Sequence, residues 1–445
     1  VEEAAIRRQL AAEPAAVYDE IVTGETELPD DDLLRLLYAG TAGRYSGHYR
    51  ESGQFLDLAS YVADDRVTIS ASRQAASFIT SDRALAYVPQ RTERLMISYI
   101  AALSFLEADD LGGAVVEARR IEALLDRFND GADTARTRYD SRFFHYFAGT
   151  IFEAAGESNS AAVAYRRAGA SGEARVSDLY SDVPADSMGE IVLLLERGFV
   201  PHRVEQSVAV VLPGQQARML TEGDIGEKAA AAAAAAARIL TYASHAYGDR
   251  GPYYTDRSYQ RGLRVAPWRD GCGGFGEPSC RDDDGEPYIL RISWPVLYRE
   301  EAPDRTVPIR VDGTPMGATW HLDVGDGIRR DFADRLGTIL ARTVFRAATK
   351  IALSEVAEDV VSEQDETAGK IVGVLVNLGT LLAERADTRS WHLLPGVVDL
   401  VRIPIPAGTH SLTVGGEGLL SRAVNLGPVA VRPGETTFVA HRIWR

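Results

Sequence analysis

Cysteine is scarce in this chain of 445 residues, which carries only Cys272 and Cys280. Two thiols with no histidine close by do not make a four-ligand zinc site, and no metal or cofactor is expected. The pair brackets a short Gly- and Pro-rich stretch. A short-loop disulfide is the favoured reading, two free thiols the alternative, and the oxidised form would place the protein outside the cytoplasm. Basic charge is also in deficit: 48 Lys and Arg face 64 Asp and Glu, for a net charge of −16. That balance argues against nucleic-acid partners and against anionic membrane surfaces, both of which attract a basic face. Catalytic punctuation is missing too. The eight histidines are scattered, with no HExxH pair and no G-x-S-x-G elbow. The longest apolar run, residues 371–383, falls short of the roughly 20 residues that cross a bilayer and reads as a buried helix. No signal peptide is visible, and a start at Val1 is what a processed mature protein would display.

What is present is apolar periodicity. Hydrophobic residues make up 45% of the chain, enough for a sizeable core and two or three domains. The clearest signal is residues 95–128. Leu95, Tyr99, Ala102 and Leu106 recur at helical spacing, a polar turn intervenes, and Leu111, Ala114, Ala118, Ile121 and Leu125 resume the period. This predicts two antiparallel helices whose alanines allow close approach. Gly40, Tyr49, Ser52, Leu56 and Ala59 fall at the offsets of a tetratricopeptide (TPR) unit, as do Gly149, Phe152, Gly156, Ala161, Tyr165 and Ala168. The copies are unequally spaced, so a regular superhelix is not expected, and a compact TPR-like domain over residues 1–175 is. Such a domain serves either as a protein-binding surface or as a plain structural bundle.

Beyond residue 175 the pattern changes, predicting an α+β domain over residues 176–445 with a mostly antiparallel sheet or a small β-sandwich. Residues 189–200 and 206–213 read as buried strands. Residues 229–237 are an unbroken alanine run, a helix with almost no side-chain bulk. Residues 248–287 form a Gly- and Asp-rich insert. Its glycines lack the lysine and the helix start of a phosphate cradle. Asp282, Asp283 and Asp284 lack the alternating spacing of a calcium loop. Strands return at 287–300, and Asp312-Gly313 signals a hairpin turn. Asp326 is expected to cap a long helix with Ile328, Phe332, Leu336, Ile339, Thr343, Ala347 and Ile351 on one face. A glycine-containing helix over 363–386 follows, with Asn377 in need of a buried partner. Terminal strands are expected within 397–445, in VVDLVRIPI, THSLTV and TTFVAHRIW.

Four residues stand out as ligand or partner candidates. Asp387, Arg389 and Trp391 alternate as the chain enters a strand and could form a ligand contact; the favoured reading is an Asp–Arg pair locking the junction with Trp391 in the core. Trp268, with Tyr253, Tyr254 and Tyr259, could stack on a glycan. Glu117, Arg119 and Arg120 are expected to point in different directions on one helix, to be united only by a neighbouring helix.

The stretches ERLMISYIAALSFLEADDLGGAVVEARR, GEIVLLLERGFVP, RDFADRLGTILARTVFRAATK and, most specifically, ADTRSWHLLP (residues 386–395) give the chain a resemblance. It resembles a family of uncharacterised bacterial TPR-containing envelope proteins, many of them predicted lipoproteins, over about residues 33–410. The resemblance implies a helical half followed by an α+β half, an extracytoplasmic location (periplasm, outer-membrane-associated or extracellular) and no established catalytic activity. The chain departs from it in lacking a lipobox cysteine near Val1, so a lipid anchor is left open, and in its Cys272–Cys280 insert. The function expected is a non-catalytic scaffold that contacts protein partners through its helical half and assembles into homo-oligomers. An envelope-polymer hydrolase using Asp387 with the Asp282–Asp284 loop, or a glycan-binding module, is the alternative.

Overall fold

A computed structural model describes residues 2–72, 85–130, 139, 142–170, 180, 182–212, 218–219, 223, 227, 253–255, 263–265, 288–299, 307–316, 320–362, 386–415 and 423–444. The architecture is mixed α and β, with helices in the first part of the chain and sheets after them. Helices α1 (Glu2–Ala12), α2 (Pro14–Thr23), α3 (Asp32–Tyr45), α4 (Tyr49–Ser72), α5 (Arg91–Glu107), α6 (Leu111–Asn129), α7 (Arg142–Ala154) and α8 (Ser158–Ala168) follow in order, the pairs α3–α4, α5–α6 and α7–α8 each joined by three residues. Their ends carry local signals. Asp31 accepts the first amides of α3, from Leu33 (3.0 Å) and Leu34 (3.2 Å), and Asp110 accepts Gly113 N–H at the start of α6. Consecutive helices pack through small residues. A Cβ on Gly40 would lie 2.5 Å from Leu56 Cγ, and one on Gly149 would lie 2.6 Å from the Tyr165 ring. Between α5 and α6, Ala102, Ala114 and Ala118 are fully buried, so the predicted pair is present with its alanines at the contact.

The sheets begin with β1 (Met188–Arg197) and β2 (His202–Leu212), then the short β3 (Tyr253–Thr255) and β4 (Leu263–Val265), β5 (Tyr288–Arg299), β6 (Ile309–Val311), β7 (Thr314–Met316) and β8 (Trp320–Asp323). Helix α9 (Val324–Ser362) precedes β9 (Val397–Pro406), β10 (Gly408–Val414), β11 (Val424–Val431) and β12 (Thr436–Ile443). Among the described residues these make three four-stranded sheets, in the orders β12-β1-β9-β8, β11-β10-β6-β7 and β3-β5-β2-β4. Among the described residues six of the nine strand pairings are antiparallel, as expected, and three are parallel. β1 pairs in parallel with β12, and β4 and β3 pair in parallel with β2 and β5, because strands distant in sequence close these edges.

The first sheet is the central layer. Side chains alternate across a strand, so Ile191, Leu193, Leu195, Val401, Ile403 and Ile405 face one way and meet Val311, Leu412, Val414 and Val431 of the second sheet. Val192, Leu194, Val398 and Leu400 face the other way and join a core that runs through α1–α8. The outcome is helices, sheet and sheet in succession.

Several sequence expectations resolve at this level. Asp312 (φ 48°) and Gly313 (φ 80°) form the two left-handed positions of the β6–β7 hairpin, as the Asp-Gly signal predicts. The cap of α9 is Asp323, whose Oδ1 accepts Asp326 N–H at 2.7 Å; Asp326 lies in the first turn and pairs with Arg329 and Arg330. On α9 the buried stripe is Phe332, Leu340 and Thr343, so Leu340 takes the place expected for Ile339. Strand β11 escaped the sequence reading because Gly427 and Pro428 interrupt it. Cys272, Cys280, Trp268, Asp282–Asp284, the alanine run 229–237 and residues 363–385 with Asn377 lie outside the described residues.

Candidate functional site

Residues 386–395, between α9 and β9, thread the seam where the helices meet the sheets. Arg389 Nε and Nη2 clasp the Asp387 carboxylate at 2.8 and 3.0 Å, engaging both of its oxygens. Arg389 also donates to Leu85 O (2.7 Å) and approaches Asp31 (3.6 Å). Burial works against the Arg389 charge, but the Asp387 contact outweighs it and raises its pKa. Trp391 is 1% exposed and donates Nε1–H to Thr41 Oγ1 at 3.0 Å. Thus Asp387 and Arg389 form a pair at the junction and Trp391 packs in the core.

The neighbours of this segment come from far along the chain. Tyr38 Oη donates to Ser390 O (3.1 Å) and contacts His392 Nδ1. Arg7 donates to His392 O and Val200 O, each at 3.1 Å, and stacks over Phe199. His392 is fully enclosed; burial, then the charges of Arg7 and His202, push its pKa well below the usual histidine range, so it is neutral. Asp31, already the α3 cap, accepts Arg66 Nη1 at 2.7 Å and Tyr87 N–H at 2.9 Å. Sequence reading missed this second role; its only legible trace is an aspartate directly before an apolar run. Tyr87 Oη donates to Glu93, and burial followed by the Glu93 charge lifts its pKa well above the usual range.

Two further charged clusters lie on the first sheet. Arg44 bridges Glu107 and Glu196 at 2.8 Å each, Tyr45 donates to Glu196 at 3.0 Å, and Glu196 has no exposure. Beside it Arg442 lies against Tyr45, Phe199 and Trp444, 5.5, 5.0 and 5.1 Å from the ring centres. At one end of β1, β9 and β8, Arg197 holds Asp399 (2.6 Å), which takes His321 Nδ1 at 2.6 Å on its other oxygen. The Asp399 hydrogen bond raises the pKa of His321, whose side chain stays half exposed.

On α6, Arg120 joins Glu117 (2.6 Å) on its own helix and Asp57 (2.8 Å) on α4, while Arg119 reaches Glu157 before α8. Glu117 and Arg120 therefore share a face, contrary to the expectation, because they are three residues apart. Trp268, Cys272 and Cys280 lie outside the described residues.

A cleft opens beside the seam, with Gln90, Glu93, Arg203, Leu297, Phe332 and Trp391 among its lining residues. It is walled by the start of α5, by β2 and β5, and by α9. The α5 start is itself held by α9: Asp331 accepts Thr92 N–H (2.7 Å) and Arg91 Nε (3.0 Å). Among the described residues no group of three or more His, Cys, Asp or Glu is placed to hold a metal ion, and no helix is long and apolar enough to cross a membrane. Comparison of the chain with family models, with curated proteins and with solved structures finds no match to any of them.

Proposed function

We propose that the chain is a non-catalytic scaffold of the bacterial envelope or extracellular space, in which TPR-like helix pairs contact protein partners, a second copy of the chain among them. The observation that carries this reading is how residues 386–395 are used. Asp387, Arg389 and Trp391 are all engaged in bolting helices to sheets, which makes one firm block of the helical layer and its support.

The outer side of that block offers a contact surface. Leu58 (50% exposed) and Tyr61 (76%) stand on α4, and Val116 (52%) stands on α6. Tyr61 is one turn from Asp57, and Val116 one turn from Arg120, so the Asp57–Arg120 bridge draws these apolar side chains into one patch. Light scattering on the eluting protein tests the reading. Particles larger than the 48.3 kDa chain are expected, reverting to single chains in Leu58→Glu/Tyr61→Glu. A monomer at every concentration, or assembly indifferent to these changes, would overturn self-association through this surface.

A further inference from the structure

Helices α4 and α6 lie side by side and run in the same direction. Asp57 meets Arg120 at 2.8 Å and Asp64 meets Arg127 at 3.5 Å, and both bridges span 63 positions of sequence. Two bridges at one offset fix the register, so each residue of α4 stands level with the residue 63 positions later on α6. Phe105 of α5 lies beneath both helices, against Gly53 and Gly113. Outward, α4 exposes Asp57, Leu58, Tyr61 and Asp65, and α6 exposes Val116, Arg119, Ala123 and Arg127.

The two rims of this apolar patch carry opposite charge. On α4, Asp57 and Asp65 flank Leu58 and Tyr61, and Asp65 has no ion-pair partner among the described residues. Arg50, also exposed on α4, is about four turns away from Asp65. On α6, Arg119 and Arg127 flank Ala123. The carboxylate exposed beside them, Asp126, is drawn the other way, to Arg167 of α8 at 3.1 Å. Arg127 is half exposed, and its ion pair is the long one to Asp64.

We infer that two copies of the chain pair face to face about a two-fold axis parallel to these helices, so that α4 of each lies along α6 of the other. The inference rests on the reading above that this patch takes a second copy. Rotation about such an axis keeps level with level, so the register within one chain also sets the register between two. Tyr61 then lies beside Ala123 of the partner subunit, whose single methyl leaves room for the ring. Asp65 lies beside Arg127 of the partner subunit, and Asp57 beside Arg119 of the partner subunit. The other two-fold arrangement lays α4 on α4 and sets one carboxylate rim against another, which like charges oppose. Helices of 24 and 19 residues side by side offer roughly 600 Å² a side, the lower edge of what a specific interface buries.

Charge reversal tests the arrangement, read by sedimentation velocity on the intact chain. Asp65→Arg and Arg127→Asp, each alone, set like charges against each other twice and are expected to weaken self-association about tenfold. Mixed in equal amounts, the two variants are expected to recover it, because both contacts of the mixed pair join opposite charges. Arg432→Glu, at an exposed site paired with Glu435, changes net charge as much as Arg127→Asp does and is expected to leave assembly intact. Circular dichroism confirms that each variant is folded. Single reversals that assemble like wild type, or a mixture no better than its parts, overturn this arrangement while leaving the Leu58→Glu/Tyr61→Glu result to stand. A wild-type chain that stays monomeric at every concentration overturns both.

Discussion

The two faces of the β1–β9 pair are built on opposite principles. The face toward the second sheet is aliphatic along its covered length: Ile191, Leu193 and Leu195 beside Val401, Ile403 and Ile405. The face toward the helices mixes Val192, Leu194 and Leu400 with Glu190, Glu196 and Arg402. Arg402 is clasped by Glu190 (2.7 Å) and reaches Tyr165 Oη (3.0 Å) on α8, while Glu196 is held by Arg44 of α3. Apolar packing is non-directional and tolerates sliding, whereas a buried ion pair has one low-energy geometry. Sheet meets sheet by shape, and sheet meets helix by addressed polar contacts that fix which helix lies where.

The sharpest way to break this contrast is Arg44→Met. It strands the unexposed Glu196 carboxylate and is expected to cost about 3–5 kcal/mol in urea unfolding, the usual cost of halving a buried pair. Arg44→Met/Glu196→Leu is expected to recover most of that loss; a double variant no better than the single would mean that the pair supplies stability beyond its geometry. On the aliphatic face Leu193→Ala is expected to cost about 3 kcal/mol by leaving a cavity, with no partner substitution able to restore it. Thr41→Val keeps shape but removes the acceptor of Trp391 Nε1, and about 1–2 kcal/mol should be lost, read as a lower unfolding midpoint.

Changing pH sharpens the comparison with the smallest effects. His392, among the polar contacts at the helix–sheet seam, has a folded pKa well below its ordinary 6.5. Its contribution is complete above that value and is lost as pH falls through the folded pKa, since the unfolded chain takes up a proton the folded one refuses. His321, at the open end of the other face, has a folded pKa raised above 6.5 by Asp399. Its contribution is complete below 6.5 and is lost as pH rises through the raised value. Thermal melts of wild type and His321→Ala should therefore differ most at acid pH and converge on the alkaline side. Divergence that grows with pH would contradict the Asp399 contact.

How much of this was legible depends on the range of the interaction. The Asp312-Gly313 hairpin was, because two residues decide their own backbone angles. The helix pairs were, because period and small residues are written within each segment. Asp31 was legible only as a break before a helix; its bonds to Arg66 and Tyr87, and its approach to Arg389, join residues up to hundreds of positions apart. The cap of α9 was misplaced from Asp323 to Asp326 because several acidic residues and glycines together leave the first turn ambiguous.

By itself the sequence determined where the helix pairs and most of the long strands lie, β11 excepted, because backbone preference and side-chain period act over a few residues. Only the tertiary structure decided that β12 closes the first sheet in parallel, that residues 386–395 become the bolt between layers, and which arginines find an acid. Those outcomes follow from which charged groups share a desolvated volume, and that is a property of the assembled chain.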